Sequence, residues 1–270
     1  MTALDTLTDW PVRTAAAAVI DASGVVDAVG LDTVRPWASV TKPLTALAVL
    51  AAVGKGSVAL DDPVGPPGST LRHLLAHASG LSFDSDAVLA PPGRRRIYSN
   101  RGFEVLGGHL AQETGTPFEV LLAESVLAPL GMSGTTLVGS PAAGAQGPLR
   151  DLAALGRELL APTLVPHLLA EATTVAFPGL TGVLPGFGRQ DPNDWGLGFE
   201  IRDGKRPHWT GRDNSPATFG HFGQSGSFLW VDPAVGLACA CLTDRPFGEW
   251  AARCWPELSD LVLREHRPVR

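Results

Sequence analysis

The sequence predicts an α/β fold, an α+β sandwich in which an antiparallel sheet is flanked by helices and carries an inserted, mostly helical subdomain. Apolar runs typical of strands lie near both ends of the chain, at residues 13–31 and 196–242. Between them, residues 70–172 place apolar side chains at helical spacing. Because strands cluster at the ends and helices in the middle, we expect the two ends to form one sheet.

The first predicted elements are a hairpin and a helix. Residues 13–21 and 24–31 are apolar runs separated by a short turn, which is typical of a β-hairpin. Residues 40–53 predict a helix that ends at Gly54-Lys55-Gly56. The Pro/Gly-rich loop at residues 61–68 then indicates a boundary between two subdomains.

Helical patterns dominate the middle of the chain. Thr116-Pro117-Phe118-Glu119 combines a capping box with proline at the first helical position, so we expect a helix to begin there. Residues 177–194 are rich in Gly and Pro and are expected to form a long loop. The predicted helices cover residues 70–80, 102–113, 116–127, 149–160 and 164–172.

Strand signals return near the C-terminus. After them, residues 248–265 predict an amphipathic helix, with a risk of a break at Pro256. We expect a sheet subdomain from residues 1–63 and 187–270, a helical subdomain from residues 64–186, and an active site between them. The predicted strands cover residues 196–202, 227–231 and 237–242.

Length and composition limit the class of function. The 270 residues are 44% hydrophobic and 18% charged, which suits a folded protein with a sizeable core. The net charge of −6 gives no electrostatic reason to bind nucleic acid or an anionic membrane. The basic run Arg94-Arg95-Arg96 is too short for a nucleic-acid patch and is expected to be solvated on a loop.

The predicted location is the cytoplasm. Residues 1–10 lack the basic start, apolar core and cleavage site of a signal peptide. The apolar stretch 43–53 is too short to span a bilayer. Three cysteines fit a reducing compartment. Cys239 and Cys241 are expected on one buried strand face rather than in a metal or redox site.

The first chemical motif is Ser39-Val40-Thr41-Lys42. Residues three apart on a helix lie one turn apart on the same face, so the Lys42 amine can hydrogen-bond the Ser39 hydroxyl. Pro43 is tolerated only in the first turn, so the helix begins at about Ser39. The positive end of the helix dipole there favours a neutral Lys42 and a nucleophilic Ser39. Alone the motif is weak, because a helix cap followed by a surface lysine gives the same pattern.

The second motif is Tyr98-Ser99-Asn100, which lies just before a predicted helix and contains the only tyrosine of the chain. A phenol with a depressed pKa could relay the Ser39 proton to a leaving group. Asn100 could orient Lys42 or a substrate amide. The alternative is a packed tyrosine at a helix start, with Asn100 as the cap.

The third motif runs from Gly220 to Ser227 and contains His221-Phe222-Gly223-Gln224. Small residues such as Gly223 beside a strand allow a substrate backbone to approach closely. The N–H of Gln224 could pair with the N–H of Ser39 as an oxyanion hole. The alternative is a Gly-rich hairpin with one exposed histidine.

Taken in order, these three motifs resemble those of the serine β-lactamase-like superfamily. The nearest group resembles the class C β-lactamases and their relatives: DD-carboxypeptidases, D-aminopeptidases and SxxK carboxylesterases. The connecting segments 70–81 and 195–199 are similar to those of the group, so the resemblance covers about residues 19–243. Three ordered motifs with two connectors are far more specific than any one motif.

The resemblance implies a role for each matching residue. Ser39 would be the nucleophile, Lys42 its proton acceptor and Tyr98 the relay to the leaving group. Asn100 would be a positioning residue, and Gln224 would share the oxyanion hole with Ser39. The third motif begins with His221 where β-lactamases usually carry lysine, so it offers a weaker anchor for a substrate carboxylate. The chain is also shorter than typical members of the superfamily, mainly before the tyrosine motif and in the loop before the last strands, which puts any particular substrate specificity in doubt.

Other kinds of site are poorly supported. His73 and His77 lie four apart on a helix face and could form a zinc pair, but no intervening glutamate or third ligand is evident. The sequence carries no phosphate loop and no dinucleotide fingerprint, so no cofactor and no metal are expected.

Three hypotheses for function follow. The first is a serine hydrolase of small-molecule esters or amides, mainly with carboxylesterase activity. The second is a D-amino-acid peptidase, DD-carboxypeptidase or β-lactamase that uses the same residues; the missing signal peptide argues against it. The third is a non-catalytic binding homologue, which would be expected to lack a nucleophile or base. The sequence names neither the acyl group, the leaving group nor the oligomeric state.

Overall fold

The computed structural model describes residues 2–267. Short 3₁₀ turns lie at Leu4–Asp9 and Ala38–Val40, and a π-helical turn lies at Ala123–Leu127. The strands are β1 (Ala15–Asp21), β2 (Gly24–Val29), β3 (Val34–Pro36), β4 (Thr136–Leu137), β5 (Ala145–Pro148), β6 (Gly182–Leu184), β7 (Gly188–Gln190), β8 (Glu200–Ile201), β9 (Phe219–Gly223), β10 (Ser227–Asp232) and β11 (Leu237–Thr243). The helices are α1 (Thr41–Gly54), α2 (Leu71–Leu75), α3 (Asn100–Thr114), α4 (Phe118–Leu122), α5 (Leu149–Leu160), α6 (Pro166–Ala172) and α7 (Glu249–His266).

The main sheet has six strands in the order β2-β1-β11-β10-β9-β8, and each neighbouring pair is antiparallel. The predicted N-terminal hairpin supplies β1 and β2, and β1 pairs with β11 so that Ala15 lies opposite Thr243. Both ends of the chain therefore build one antiparallel sheet, and the predicted fold class is confirmed. The division into two subdomains stays a prediction, and its outer bounds at residues 1 and 270 lie outside the described residues.

Alternating side chains of the sheet serve two separate cores. On β1, Ala16, Ala18 and Ile20 belong to the core that includes α1 and α5, whereas Ala17 and Val19 belong to the core that includes α7. Helices thus cover both faces, which explains why the central strands are apolar along most of their length. Cys239 and Cys241 share the second face and are fully buried, as predicted.

The sheet is less regular near the site than the sequence predicts. The expected loop at residues 177–194 contains the hairpin β6–β7, and only Glu200–Ile201 of the predicted strand 196–202 is paired. A second sheet, β3-β5-β4, was not predicted. Strands β3, β4 and β5 have two to four residues, and β3 pairs with β5, which is distant in sequence. Local patterns therefore carry little signal for this sheet.

Two helix predictions need correction, whereas the predicted C-terminal helix is confirmed. The capping box at Thr116 does not form, because the helix is preceded by Pro117 and no side chain caps it. Helix α2 is shorter than predicted, since the backbone at His77 is left-handed with φ of 54°. Helix α7 continues through Pro256 without a break. There, the burial of Trp255 and Leu258 against the sheet outweighs one lost backbone hydrogen bond.

The expectation of a solvated arginine loop is wrong for Arg96. Its side chain is buried and donates hydrogen bonds to the carbonyl oxygens of Ala76, Ala176, Phe177 and Asn193. Arg96 therefore ties the loop before Tyr98 to neighbouring segments.

The sequence predicts no segment that spans a membrane. None of the helices within residues 2–267 combines the length and the apolar character needed to cross a bilayer.

Candidate active site

Ser39 lies in a tight turn that two tertiary contacts of Trp37 hold in place. The preceding Trp37 receives a hydrogen bond from the Ser227 hydroxyl at 2.7 Å and donates its indole N–H to the Gly147 carbonyl at 3.2 Å. Ala38 has a left-handed φ of 46°, a conformation that a non-glycine residue adopts only when its surroundings enforce it. The turn leads directly into α1, so Ser39 sits at the helix N-terminus, as predicted. It is only partly buried and remains accessible.

Lys42 is fully buried and points at Ser39. Its Nζ lies 3.3 Å from the Ser39 hydroxyl, 2.6 Å from Asn100 Oδ1 and 3.0 Å from the Ala142 carbonyl oxygen. Burial lowers the pKa of the Lys42 amine well below its usual range, against an opposing effect of the Glu104 charge. The predicted shift towards the neutral amine is therefore supported, and burial is its main cause.

The hydrogen-bond partners of Lys42 fix the direction of the lone pair of its neutral amine. A neutral amine has two N–H donors and one lone pair, and both Asn100 Oδ1 and the Ala142 carbonyl can only accept hydrogen bonds. When the two N–H groups are used there, the lone pair faces the Ser39 hydroxyl and can take its proton. Asn100 thus orients Lys42, whereas Ser99 caps α3 by accepting the Gly102 N–H at 3.0 Å.

Tyr98 completes the group but differs from the prediction in its acidity. Burial raises the pKa of the Tyr98 phenol, and a hydrogen bond with Ser39 opposes this only in part. The expected depressed pKa is wrong, because Trp195 and Phe83 pack around the ring, with centroids at 5.7 and 6.1 Å. A phenol that keeps its proton can donate it to a leaving group, so Tyr98 fits the part of an acid better than that of a phenolate base.

His221 lies on β9 and faces Tyr98. Its Nδ1 is 2.7 Å from the carbonyl oxygen of Phe222, which can only accept, so Nδ1 carries the proton. Nε2 is then unprotonated and lies 3.4 Å from the Tyr98 hydroxyl, where it can accept a hydrogen bond. The alternative of an exposed histidine is wrong, since His221 is only 4% exposed.

The charge of His221 matters for substrate choice. Burial lowers the pKa of its imidazole to about 3. The ring is therefore neutral at physiological pH and offers no charge to a substrate carboxylate.

Gly223 lets the end of β9 reach the serine turn. A Cβ atom at this position would lie 2.3 Å from the Trp37 carbonyl oxygen and 2.5 Å from the Ser227 hydroxyl, so only glycine fits. Gln224 follows and lines the same cavity as Ser39, while its side-chain amide donates to the Phe247 carbonyl at 3.3 Å. The pairing of the Gln224 and Ser39 N–H groups as an oxyanion hole stays a prediction.

Ser39, Tyr98 and His221 line one cavity of about 510 Å³, a size suited to a small organic molecule. Most other lining side chains are apolar, and they come from the segment between α2 and α3, the β6–β7 hairpin, Trp195 and Phe222. The structure therefore brings together the predicted residues from all three motifs at the floor of an accessible cavity. Their catalytic roles stay predictions.

Sequence reasoning missed two contributors to this site. The Ala142 carbonyl binds Lys42 through a backbone atom, which leaves no mark on residue type. Trp195 was noted only as part of a connector, yet its ring lies 5.5 Å from that of His221.

The possible zinc pair does not form a metal site. His77 accepts the Ser99 N–H on Nδ1, and His73 Nδ1 lies 2.9 Å from the Thr70 hydroxyl. Across the described part of the chain, no group of three or more His, Cys, Asp or Glu side chains is arranged to hold a metal ion.

Burial of His221 predicts a loss of stability in acid. The folded protein keeps the imidazole neutral down to about pH 3, whereas the unfolded chain takes up a proton below about pH 6.5. Between these values the unfolded chain binds more protons, so the free energy of unfolding falls as the pH is lowered. The expected loss from this group is about 1.4 kcal/mol per pH unit.

Urea denaturation at about pH 7.5 and about pH 5 checks this prediction. His221→Gln should lose less stability between the two conditions than the wild type, by about 2 kcal/mol. His167 is exposed, so His167→Gln should lose as much as the wild type. Equal losses in all three proteins would contradict the prediction.

Comparisons with known proteins show which proteins this chain is similar to. The crystal structure of the beta-lactamase Mb2281c from Mycobacterium bovis is 56% identical in sequence, covers 99% of this chain and 100% of that chain, and superposes with a TM-score of 0.98. The D-alanyl-D-alanine-carboxypeptidase/endopeptidase AmpH of Escherichia coli (strain K12) is 32% identical over 148 residues, which cover 41% of this chain. Esterase EstB of Burkholderia gladioli is 34% identical over 148 residues, which cover 37% of this chain.

The match spans 38% of the length of both AmpH and EstB. The family comparison is broader, since the family described as Beta-lactamase matches residues 5–262. With nearly the whole chain matched and the site residues gathered in one cavity, this chain belongs to the beta-lactamase family.

Proposed function

We propose that this chain is a serine hydrolase that cleaves small-molecule esters or amides through an acyl-enzyme on Ser39. One observation carries the proposal: the accessible Ser39 hydroxyl lies 3.3 Å from a buried amine whose pKa burial lowers. Nucleophilic serines need such an adjacent base, because a free hydroxyl is a weak nucleophile at neutral pH.

Acylation follows from the positions of the side chains. Ser39 Oγ attacks the substrate carbonyl carbon while Lys42 accepts the hydroxyl proton, which gives a tetrahedral oxyanion and an ammonium. The N–H groups of Ser39 and Gln224 are proposed to stabilise the oxyanion. Tyr98 then donates its proton to the departing alcohol or amine as the carbon–heteroatom bond breaks. Lys42 then returns a proton to Tyr98, directly or through a water molecule.

Deacylation uses the same groups in reverse. A water molecule gives a proton to the neutral Lys42 amine and attacks the acyl carbon. The proton returns to Ser39 Oγ as the bond between the acyl carbon and Ser39 Oγ breaks. Each half-reaction leaves the side chains in their starting protonation states, so neither a metal nor a cofactor is needed for balance.

Ester hydrolysis is the activity that the site favours. The neutral His221 gives no fixed charge to an anionic substrate, and the walls of the cavity are mainly apolar. The second candidate is hydrolysis of D-amino-acid peptides or β-lactams. It is supported by the similarity to AmpH, a carboxypeptidase, and to the beta-lactamase Mb2281c.

A comparison of two substrates tests this choice. We expect a short-chain aryl ester to be turned over faster than a chromogenic cephalosporin at neutral pH. His221→Lys should narrow the gap, because a lysine can offer a positive charge to the cephalosporin carboxylate. Values of kcat/KM for both substrates on both proteins decide the matter.

The matched control for that experiment is His221→Gln, which keeps the position uncharged and should leave the ratio of the two kcat/KM values nearly unchanged. A wild type that already prefers the cephalosporin would show that the charge argument is wrong. The second candidate would then take the place of the first.

A further inference from the structure

We propose that the cavity above Ser39 selects esters that carry a bulky apolar group, such as a medium-length alkyl chain, and that Phe83, Leu89 and Val183 bind this group. These three residues are called the apolar rim. The inference names a substrate class for the proposed function and therefore rests on it.

The three side chains of the apolar rim are each at least half exposed to solvent. Phe83, Leu89 and Val183 line the cavity, and they are 50%, 59% and 57% exposed. Scattered exposed apolar residues are ordinary, but three that surround one cavity form a patch of the kind that marks a binding site. An apolar substrate group would remove this patch from water.

The apolar rim is held in place by the fold. The Phe83 carbonyl accepts the backbone N–H groups of Asn100 and Arg101 at 2.7 and 3.0 Å, and the Phe83 ring stacks on Tyr98. Val183 lies on β6. The residue before it, Gly182, forms a backbone bridge with Arg96. Phe83 and Val183 are therefore held on preformed segments, and Phe83 directly adjoins Tyr98, which lowers the entropic cost of binding.

Charged side chains that line the cavity do not offer a competing anchor. Arg96 donates to four carbonyl oxygens. The Glu200 carboxylate is bound by Lys205 at 2.5 Å, His208 at 2.9 Å and Trp209 at 3.0 Å. Arg95 also lines the cavity but is exposed, so an ion pair between its guanidinium and a substrate carboxylate would contribute little binding energy. The chemistry of the walls thus favours hydrocarbon over a charged group.

A series of p-nitrophenyl esters from acetate to octanoate, with a matching series of alkyl acetates, tests the inference. Each methylene buried by the apolar rim should raise kcat/KM by up to about fourfold in at least one series. The double variant Phe83→Ala/Val183→Ala should flatten that rise. Using the octanoate-to-acetate ratio cancels any general effect of the substitutions on turnover.

The control is Val26→Ala/Val138→Ala, because these two valines are 47% and 64% exposed but do not line the cavity. This variant should retain the chain-length dependence of the wild type. Equal flattening in both double variants, or no rise in either series, would overturn the inference.

Binding to Ser39→Ala protein separates this inference from the proposed function. Calorimetric titration with 1-octanol should show binding that the additional substitutions Phe83→Ala/Val183→Ala weaken. Octanol binding to Ser39→Ala, without turnover of any ester or amide by the wild type, would support the apolar site and overturn the hydrolase proposal. Ester turnover with neither chain-length dependence nor octanol binding would support the hydrolase and overturn the apolar site.

Discussion

Ser39→Ala is expected to abolish covalent labelling by a fluorophosphonate and to lower ester turnover by at least about a thousandfold, because the atom that forms the acyl bond is removed. The fold should persist. The turn around Ser39 depends on the Trp37 contacts and on the Thr41 hydroxyl, which bonds the Ala38 carbonyl at 2.6 Å. Intact-mass spectrometry measures the label, and initial rates measure turnover.

A matched control for this experiment is Ser85→Ala. Ser85 is an exposed serine on the loop that carries Phe83, outside the hydrogen-bond network of Lys42. This variant should be labelled and should turn over substrate like the wild type. Peptide mapping identifies the labelled residue, and a label on a serine other than Ser39 would show that the nucleophile has been misassigned.

The parts of the site that local sequence could predict are those set by local geometry. Ser39 and Lys42 are three residues apart across the start of α1, so their contact follows from helical geometry once the helix is assigned. The alternation of β1 and β11 likewise placed Cys239 and Cys241 on one buried face.

The parts that could not be predicted depend on contacts between distant segments. The acidity of Tyr98 is set by rings that surround it in space, including Trp195, almost a hundred residues further along the chain. The loop that presents the Ala142 carbonyl to Lys42 carries no sequence signal, because any residue has a carbonyl. The short strand β6 depends on its pairing with β7 and on the bridge to Arg96 rather than on strand propensity.

Lys42→Met is expected to lower kcat by about a hundredfold to ten-thousandfold, the range associated with loss of a general base. Methionine fills a similar apolar volume, so the packing around α1 should be retained. It leaves Asn100 Oδ1 and the Ala142 carbonyl without their donor, and we therefore expect some loss of stability as well. Lys55 is exposed at the other end of α1, and Lys55→Met should keep wild-type kcat.

The pH dependence distinguishes a base from a residue that merely supports the fold. In the wild type, kcat/KM should fall at low pH as the Lys42 amine becomes protonated, and the residual activity of Lys42→Met should lack this fall.

The pH dependence of the free energy of unfolding gives a second measurement of the Lys42 charge. Between the depressed pKa of folded Lys42 and about 10.4, the unfolded chain binds one more proton, so the free energy of unfolding rises with pH.

Lys42→Met should remove this increase in the free energy of unfolding. The increase amounts to about 1.4 kcal/mol per pH unit between the depressed pKa of folded Lys42 and about pH 10.4. Urea denaturation of the wild type and Lys42→Met across this interval measures it, with Lys55→Met as the reference. If all three proteins show the same slope, Lys42 is charged in the folded state and cannot accept the Ser39 proton. If Lys42→Met also keeps wild-type kcat, another group acts as the base. A slope that is lower in Lys42→Met alone, together with the loss of kcat, would tie the neutral amine to the activation of Ser39.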